Sequence, residues 1–297
     1  MAAALVTGPA IAAGPAASSR LILLGTAGGP TPKPNRAASA QVVVVGDAAY
    51  VIDCGNGVAR QLVLAGIKLK ALRSIFITHH HSDHVVDYGA LVMLAWASDL
   101  ATPIDSYGPP PLVDMTRGFL DVNRVDIAVR TADEGRPPLA DLIRPHEITR
   151  AGPVMADANV RVTAALVEHP PLVPSLAYRF DCPDRSIVIS GDTRPSEALV
   201  ALAKGADILV HEVMYLPALE ALIASEPNAP TLREHLLASH TSAADVGKVA
   251  TRAGVKTLVL SHFVPGGFPF VTDEQWHDAV RPHFAGKIVV GRDLMVL

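Results

Sequence analysis

Short apolar runs separated by glycine, proline and polar clusters dominate the chain, the pattern expected of strands buried in sheets. Such runs lie at Arg20–Leu24, Gln41–Val45, Tyr50–Asp53 and Ser74–Thr78, and again at Leu176–Phe180, Ser186–Ser190, Asp207–Val210 and Thr257–Leu260. Arg161–Val167 alternates apolar and polar positions, and Ile288–Val290 and Leu294–Val296 read as edge strands. Helical spacing appears at Val58–Ile67 through Leu62, Val63 and Ile67, and at Val85–Leu100 through Val86, Leu91, Leu94 and Ala95. Tyr88 and Trp96 share that second helix and read as core. Further helices are predicted at Leu112–Val122, Pro195–Lys204, Ala243–Ala253, with Thr241 or Ser242 as N-cap, and Asp273–Phe284. Strand-then-helix order recurs at 41–67 and 186–204, which predicts two sheets packed together and flanked by helices. Residues 101–145 are poorly patterned and proline-rich, with a lid-like loop expected near Thr131–Pro138.

Composition narrows the class. The chain has 297 residues, 49% hydrophobic and 18% charged, enough for one large domain with a substantial core over residues 20–297. A formal net charge of −4 gives no overall attraction to nucleic acid. Cys54 and Cys182 are the only cysteines and lack a C-x-x-C partner, so both read as structural thiols. Residues 1–19 are small and apolar without a charge, and read either as a flexible leader or as the remnant of an export signal. Localisation therefore stays open between cytoplasm and periplasm. No apolar run elsewhere is long enough to span a bilayer.

The chemistry concentrates after the run Ser74–Thr78, in His79-His80-His81-Ser82-Asp83-His84. Imidazole nitrogen and carboxylate oxygen are the donors that zinc and similar cations take, and one short loop at a strand end can wrap them around ions. His169, Asp192 and His262 stand at other strand ends, and Glu212 and His240 follow or flank two more. Gly25–Pro30 is glycine-rich but is followed by Pro32 and Pro34 rather than a helix, and no Walker lysine is present. It reads as a backbone turn approaching the metal loop. Asp53, at a strand end, is a candidate to fix the orientation of that loop by hydrogen bonding.

The spacing H-x-H-x-D-H resembles the signature of the metallo-β-lactamase superfamily. Leu-Gly-Thr-Ala-Gly-Gly upstream and Ile-Asp-Cys-Gly-Asn-Gly-Val-Ala-Arg-Gln-Leu downstream resemble the ribonuclease Z branch, although Asn56 stands where an acidic residue is more usual. The resemblance implies a four-layer αββα sandwich and a dinuclear hydrolase with two zinc ions per chain, manganese or iron being alternatives. It assigns His79, His81 and His169 to one metal, Asp83, His84 and His262 to the other, and Asp192 with a hydroxide to the bridge. It gives Asp83 a further part in handling the hydroxide proton, and makes Glu212 and His240 a carboxylate–imidazole pair that protonates the leaving group. By analogy it implies a homodimer.

Two departures shape the expected substrate. A tRNA-processing ribonuclease Z carries a long arm between the third histidine and the bridging aspartate, but His169 and Asp192 are only 23 positions apart. Val264-Pro265-Gly266-Gly267 stands where a serine and an arginine are expected. These departures count against tRNA and favour a small anionic ester, either a sulfate ester or a phosphodiester. A ribonuclease Z-like RNA 3′-end endonuclease is the alternative, with lactonase or β-lactamase chemistry also open. A non-catalytic redox protein would need a flavin partner, for which no flavodoxin-like segment is present.

Overall fold

The computed structural model describes residues 18–297. Most of the leader read over residues 1–19 lies outside the described residues, and Ser19 already pairs with Val45 in the first strand. The strands are β1 (Ser19–Gly25), β2 (Ala40–Val45), β3 (Ala48–Ile52), β4 (Leu72–Phe76), β5 (Ile104–Gly108), β6 (Ile143–Glu147) and β7 (Gly152–Ala156). They continue as β8 (Arg161–His169), β9 (Leu172–Asp181), β10 (Ser186–Ile189), β11 (Ile208–Met214), β12 (Thr257–Val264), β13 (Lys287–Val290) and β14 (Met295–Val296).

Two seven-stranded sheets form, in the orders β14-β1-β2-β3-β4-β5-β6 and β13-β12-β11-β10-β9-β8-β7. Each is antiparallel on one side and parallel on the other. The change falls at β3, between its antiparallel partner β2 and its parallel partner β4, and at β10, between β9 and β11.

Alternation within each strand explains the layering. In β1, Leu21 and Leu23 join the core between the sheets, while Ile22 and Leu24 face the helices outside. The same division places Tyr50, Ile52, Phe76, Tyr178 and Val210 between the sheets. Helices Val58–Leu64 and Tyr88–Ala97 cover one outer face, and Glu197–Leu202, Ala243–Ala253 and Asp273–Val280 the other. Strands buried on both faces read as continuous apolar runs, and for that reason they are easy to find in the sequence. The four layers are those of the metallo-β-lactamase sandwich.

Three expectations change. The helix expected from Val85 to Leu100 is two pieces, Ser82–Val85 and Tyr88–Ala97. The interruption resets the helical phase, leaving Val86 and Leu94 exposed and turning Tyr88, Leu91, Val92, Ala95 and Trp96 inward. The loop near Thr131–Pro138 is no lid: Thr131–Asp133 completes the helix Arg124–Asp133, and the following residues pack beneath Trp96. There the indole Nε1 donates to the Pro137 carbonyl at 2.9 Å and Arg136 donates to the Trp96 carbonyl at 2.9 Å. Finally, two helices that the hydrophobic pattern did not announce, Leu219–Ala224 and Leu232–Ser239, lie between β11 and β12. Cys54 and Cys182 are both free thiols. No described helix is long and apolar enough to cross a membrane.

Phe76 ends β4 immediately before the histidine loop and is fully buried, its ring 5.2 Å from Tyr107, 5.4 Å from Tyr178 and 5.1 Å from Phe180. Phe76→Ala should lower unfolding stability by about 3–5 kcal/mol, because the rigid strands around it cannot collapse into the cavity. Denaturant midpoints at fixed metal concentration measure this, and a loss under about 1 kcal/mol would mean that the sheets close over the gap.

Candidate metal centre

The first sheet supplies the loop. β3 ends at Ile52, and Asp53 adopts a positive φ of 60° that turns its carboxylate under the residues after β4. One carboxylate oxygen accepts from the Thr78 backbone N–H at 2.8 Å, the other from the Thr78 hydroxyl at 2.9 Å and from His84 Nδ1 at 2.7 Å. His79 and His81 lie in the loop thus held, and Asp83 and His84 on the single turn Ser82–Val85. His80 turns away and bonds the Pro109 carbonyl at 2.8 Å. Gly55 permits the approach of this turn: a Cβ there would lie 2.4 Å from the Asp83 carbonyl oxygen. The glycine turn approaches as read from the sequence, with Gly29 N–H donating to Asp83 Oδ2 at 2.9 Å.

The second sheet supplies the rest from three strands. His169 is the last residue of β8, and Asp192 follows β10. His262 lies inside β12 at a register shift, where Glu212 pairs with Ser261 but Val213 pairs with Phe263. The unpaired extra residue is His262 itself, at φ 44°. Such a bulge re-aims a side chain that regular alternation would send elsewhere.

All seven residues predicted as ligands converge. His79, His81, His169 and Asp192 offer donor atoms within 4.8 Å of one another, and so do Asp83, His84 and His262. Asp192 Oδ2 faces both groups, 3.7 Å from His79 Nε2, 3.4 Å from His84 Nε2 and 3.1 Å from His262 Nε2. Three rings have their outward nitrogen engaged, His79 by the Thr78 hydroxyl at 3.0 Å, His84 by Asp53 and His169 by the Ser239 carbonyl at 2.9 Å. Those bonds leave the inward nitrogens as lone-pair donors.

The donor set fits cations on further grounds. Nitrogens of His79 and His81 approach to 3.2 Å and those of His169 and His81 to 3.0 Å, converging lone pairs on a common point. Buried His84 Nε2 and Asp192 Oδ1 find no hydrogen-bond partner among the described residues, an arrangement that costs free energy unless something else satisfies them. Burial pushes the His79 imidazolium well below its usual pKa, that of His81 to about 4, and that of His169 down as well. Neutral imidazole is the ligand form. His84 goes the other way: burial would lower its pKa, but the Asp192, Asp53 and Asp83 carboxylates outweigh burial and hold it well above its usual value. Asp192 is buried too, but His262 and His84 overcome the burial and hold its carboxyl well below the ordinary carboxylate range.

Glu212 and His240 meet beside this cluster. Glu212 Oε2 lies 3.2 Å from His240 Nδ1, while Oε1 accepts from the backbone N–H groups of Thr193 and Thr241, each at 3.1 Å. The carboxylate therefore both supports two turns and faces the imidazole. Burial alone would lower the pKa of His240; the Glu212 charge outweighs it and raises the value to about 9. His235, which carried no signal in the sequence, lies on the helix Leu232–Ser239 with its ring 5.7 Å from His81 and 5.8 Å from both His169 and His240. A cavity of about 360 Å³ opens over these residues. Its rim is built by the glycine turn, by the two helices between β11 and β12, and by residues 264–268.

Comparison with known proteins agrees with this architecture. The family described as the beta-lactamase superfamily domain matches residues 49–263. Ribonuclease Z of Mycobacterium bovis (strain BCG / Pasteur 1173P2) is 33% identical over 277 residues, covering 92% of this chain and 96% of that protein. Among solved structures, the metallo-beta-lactamase fold protein YhfI from Bacillus subtilis aligns over 94% of this chain and 98% of its own, with a TM-score of 0.69 at 18% identity. The short form of human tRNase Z aligns over the same shares with a TM-score of 0.67 at 22% identity. The mycobacterial ribonuclease Z is used up almost entirely by the alignment, so it carries no long segment that this chain lacks. The short stretch between His169 and Asp192 thus does not set this chain apart in length from that relative. One position in three shared along nearly the whole length, on a sandwich whose strand ends gather His and Asp donors, makes this chain a ribonuclease Z-like member of the metallo-β-lactamase superfamily and a metal-dependent hydrolase.

Proposed function

We propose that the protein is a phosphodiesterase of the ribonuclease Z kind, cutting RNA near a 3′ end, in place of the small sulfate or phosphate ester first expected. The observation that carries this reading is the identity to ribonuclease Z along 92% of the chain. The small-ester reading keeps one observation in its favour: a cavity of about 360 Å³ is of the size that small-molecule ligands fill.

In this reading His79, His81 and His169 would hold one cation and Asp83, His84 and His262 a second, with the Asp192 carboxylate available to both. Mixed imidazole and carboxylate donors suit zinc, with manganese or iron as alternatives. When bound, such ions supply a water acidified toward neutral pH and positive charge against the ester oxygens. The chain's own residues do the rest. Asp53 fixes the His84 tautomer and Gly29 N–H orients Asp83, the residue that would handle the proton of the attacking water. Glu212 engages His240 Nδ1, so the opposite ring nitrogen is free to give a proton to the departing oxygen.

Substrate choice is tested by comparing a precursor tRNA with a 3′ trailer against a chromogenic aryl sulfate and a bis-aryl phosphate. RNA cleavage with kcat/KM in the usual enzyme range of about 10⁴–10⁸ M⁻¹s⁻¹ is expected. Efficient sulfate-ester turnover with feeble RNA cleavage would return the small-ester reading. Metal content should approach about two ions per chain, and Asp53→Asn should weaken metal affinity about 10–100-fold with far-UV circular dichroism unchanged. Full activity after exhaustive chelation would eliminate the mechanism.

His240→Ala should lower kcat about 10²–10⁴-fold on RNA and much less on nitrophenyl esters, whose leaving group needs little protonation. The sign of the pH effect follows from the raised His240 value: the acid form is present at neutral pH and is lost as pH rises toward 9. Bound cations would bring that alkaline limb lower. Glu212→Gln removes the charge that raises it, so the limb should move further down in a kcat profile. An unmoved limb would assign it to another group.

A further inference from the structure

The wall of the catalytic cavity is of two kinds. One stretch is the His and Asp cluster; another is apolar, with Leu222, Leu232, Leu236, Val264, Pro265 and Phe268. The leucines come from the two helices between β11 and β12, which stand on their own small cluster of Met214, Leu219, Leu236 and Val264. Phe268 comes from the loop after β12. Gly266 and Gly267 let that loop lie close: a Cβ at Gly266 would be 3.0 Å from Gly28 N, and one at Gly267 3.0 Å from Lys33 Cδ.

Of seven phenylalanines, only Phe268 and Phe270 are exposed, at 63% and 71%; the other five are buried or half-buried. A lone exposed ring needs no explanation. Here, however, the ring lines the cavity that holds the candidate ligands. It also follows the segment Val264–Gly267, where the resemblance leads one to expect a serine and an arginine. An arginine there would grip a phosphate through charge, whereas this chain presents an aromatic face next to aliphatic side chains. Lys33 and Glu226 line the same cavity with opposite charges, so these two add no net positive charge beyond the His and Asp cluster.

We propose that this cavity is a ring slot. A flat aromatic ring on one side of the scissile ester stacks on Phe268 and lies along Leu222 and Leu232, while its phosphoryl group reaches the His and Asp cluster. The volume of about 360 Å³ has room for such a ring together with its ester group. Naming the ring as a nucleobase rests on the phosphodiesterase reading; an aryl ester would present the same chemistry. In this chain, recognition next to the scissile bond is by stacking, which tolerates any base, rather than by a base-specific hydrogen bond.

The test uses the zinc-loaded full chain and calorimetric binding of four probes: AMP, phenyl phosphate, ribose 5-phosphate and inorganic phosphate. AMP should bind more tightly than ribose 5-phosphate, and Phe268→Ala should weaken AMP about 5–100-fold while leaving inorganic phosphate essentially where it was. Phe268→Trp should keep the preference. Phenyl phosphate matching AMP supports the slot and identifies the source as an aryl ester; AMP exceeding it identifies a nucleobase. AMP binding no tighter than ribose 5-phosphate, or Phe268→Ala weakening AMP and inorganic phosphate alike, overturns the slot. Failure of the phosphodiesterase reading shows itself separately, as absent cleavage of RNA and of bis-aryl phosphate. The slot is then decided by whether phenyl sulfate outbinds methyl sulfate and loses that advantage in Phe268→Ala.

Discussion

The buried carboxylate of Asp53 ties the centre to the fold. It is 1% exposed, bent out of β3 by a positive φ, and satisfied by the Thr78 amide, the Thr78 hydroxyl and His84. These bonds join the end of one parallel strand to the loop leaving its neighbour, fixing where the loop begins and which nitrogen His84 presents. A buried ionised group left without them would be expensive, so fold and site geometry are enforced by the same contacts. The other sheet acts through Asp192, whose single oxygen faces both donor groups.

Much of this was legible in the sequence, for identifiable reasons. Strands covered on both faces must be apolar throughout, so β1, β2, β4, β10, β11 and β12 announced themselves as runs. The histidine loop was legible because several donors fall within six consecutive residues at a strand end. His169, Asp192 and His262 were found at the ends of other apolar runs, and their grouping came from the resemblance rather than from periodicity. The geometry that makes His262 point inward, a bulge in β12, depends on pairing with β11 and leaves no local trace.

What escaped the reading is equally physical. Leu219–Ala224 and Leu232–Ser239 are short helices whose apolar residues face a cluster assembled from Met214 and Val264, so no full amphipathic stripe was required. His235 rides on the second of them, and its significance appears only when three other rings lie within 6 Å. The break between Val85 and Tyr88 is set by Asp87, whose side chain accepts from the Gly57 N–H at 2.6 Å. A contact 30 residues away thus falls where Val85, Val86, Asp87 and Gly89 already favour the helix weakly.

The division of labour between sheets and insertions follows from rigidity. The donor groups stand at the ends of strands whose register is held by pairing, and catalysis needs them placed within about 0.5 Å. The cavity rim comes instead from the glycine turn, the two short helices and the loop carrying Phe268, none of which contributes to the central sheets. The glycine turn and the second helix also bond candidate ligands, through Gly29 N–H to Asp83 and the Ser239 carbonyl to His169. Within the rim it is therefore the Phe268 side chain that can change without disturbing them. A metal-dependent hydrolase of this family can therefore keep its hydrolytic centre while a rim side chain alters what enters. On this view the identity to ribonuclease Z bears most directly on the chemistry, while the residues from Val264 to Phe268 bear on which ester is cut.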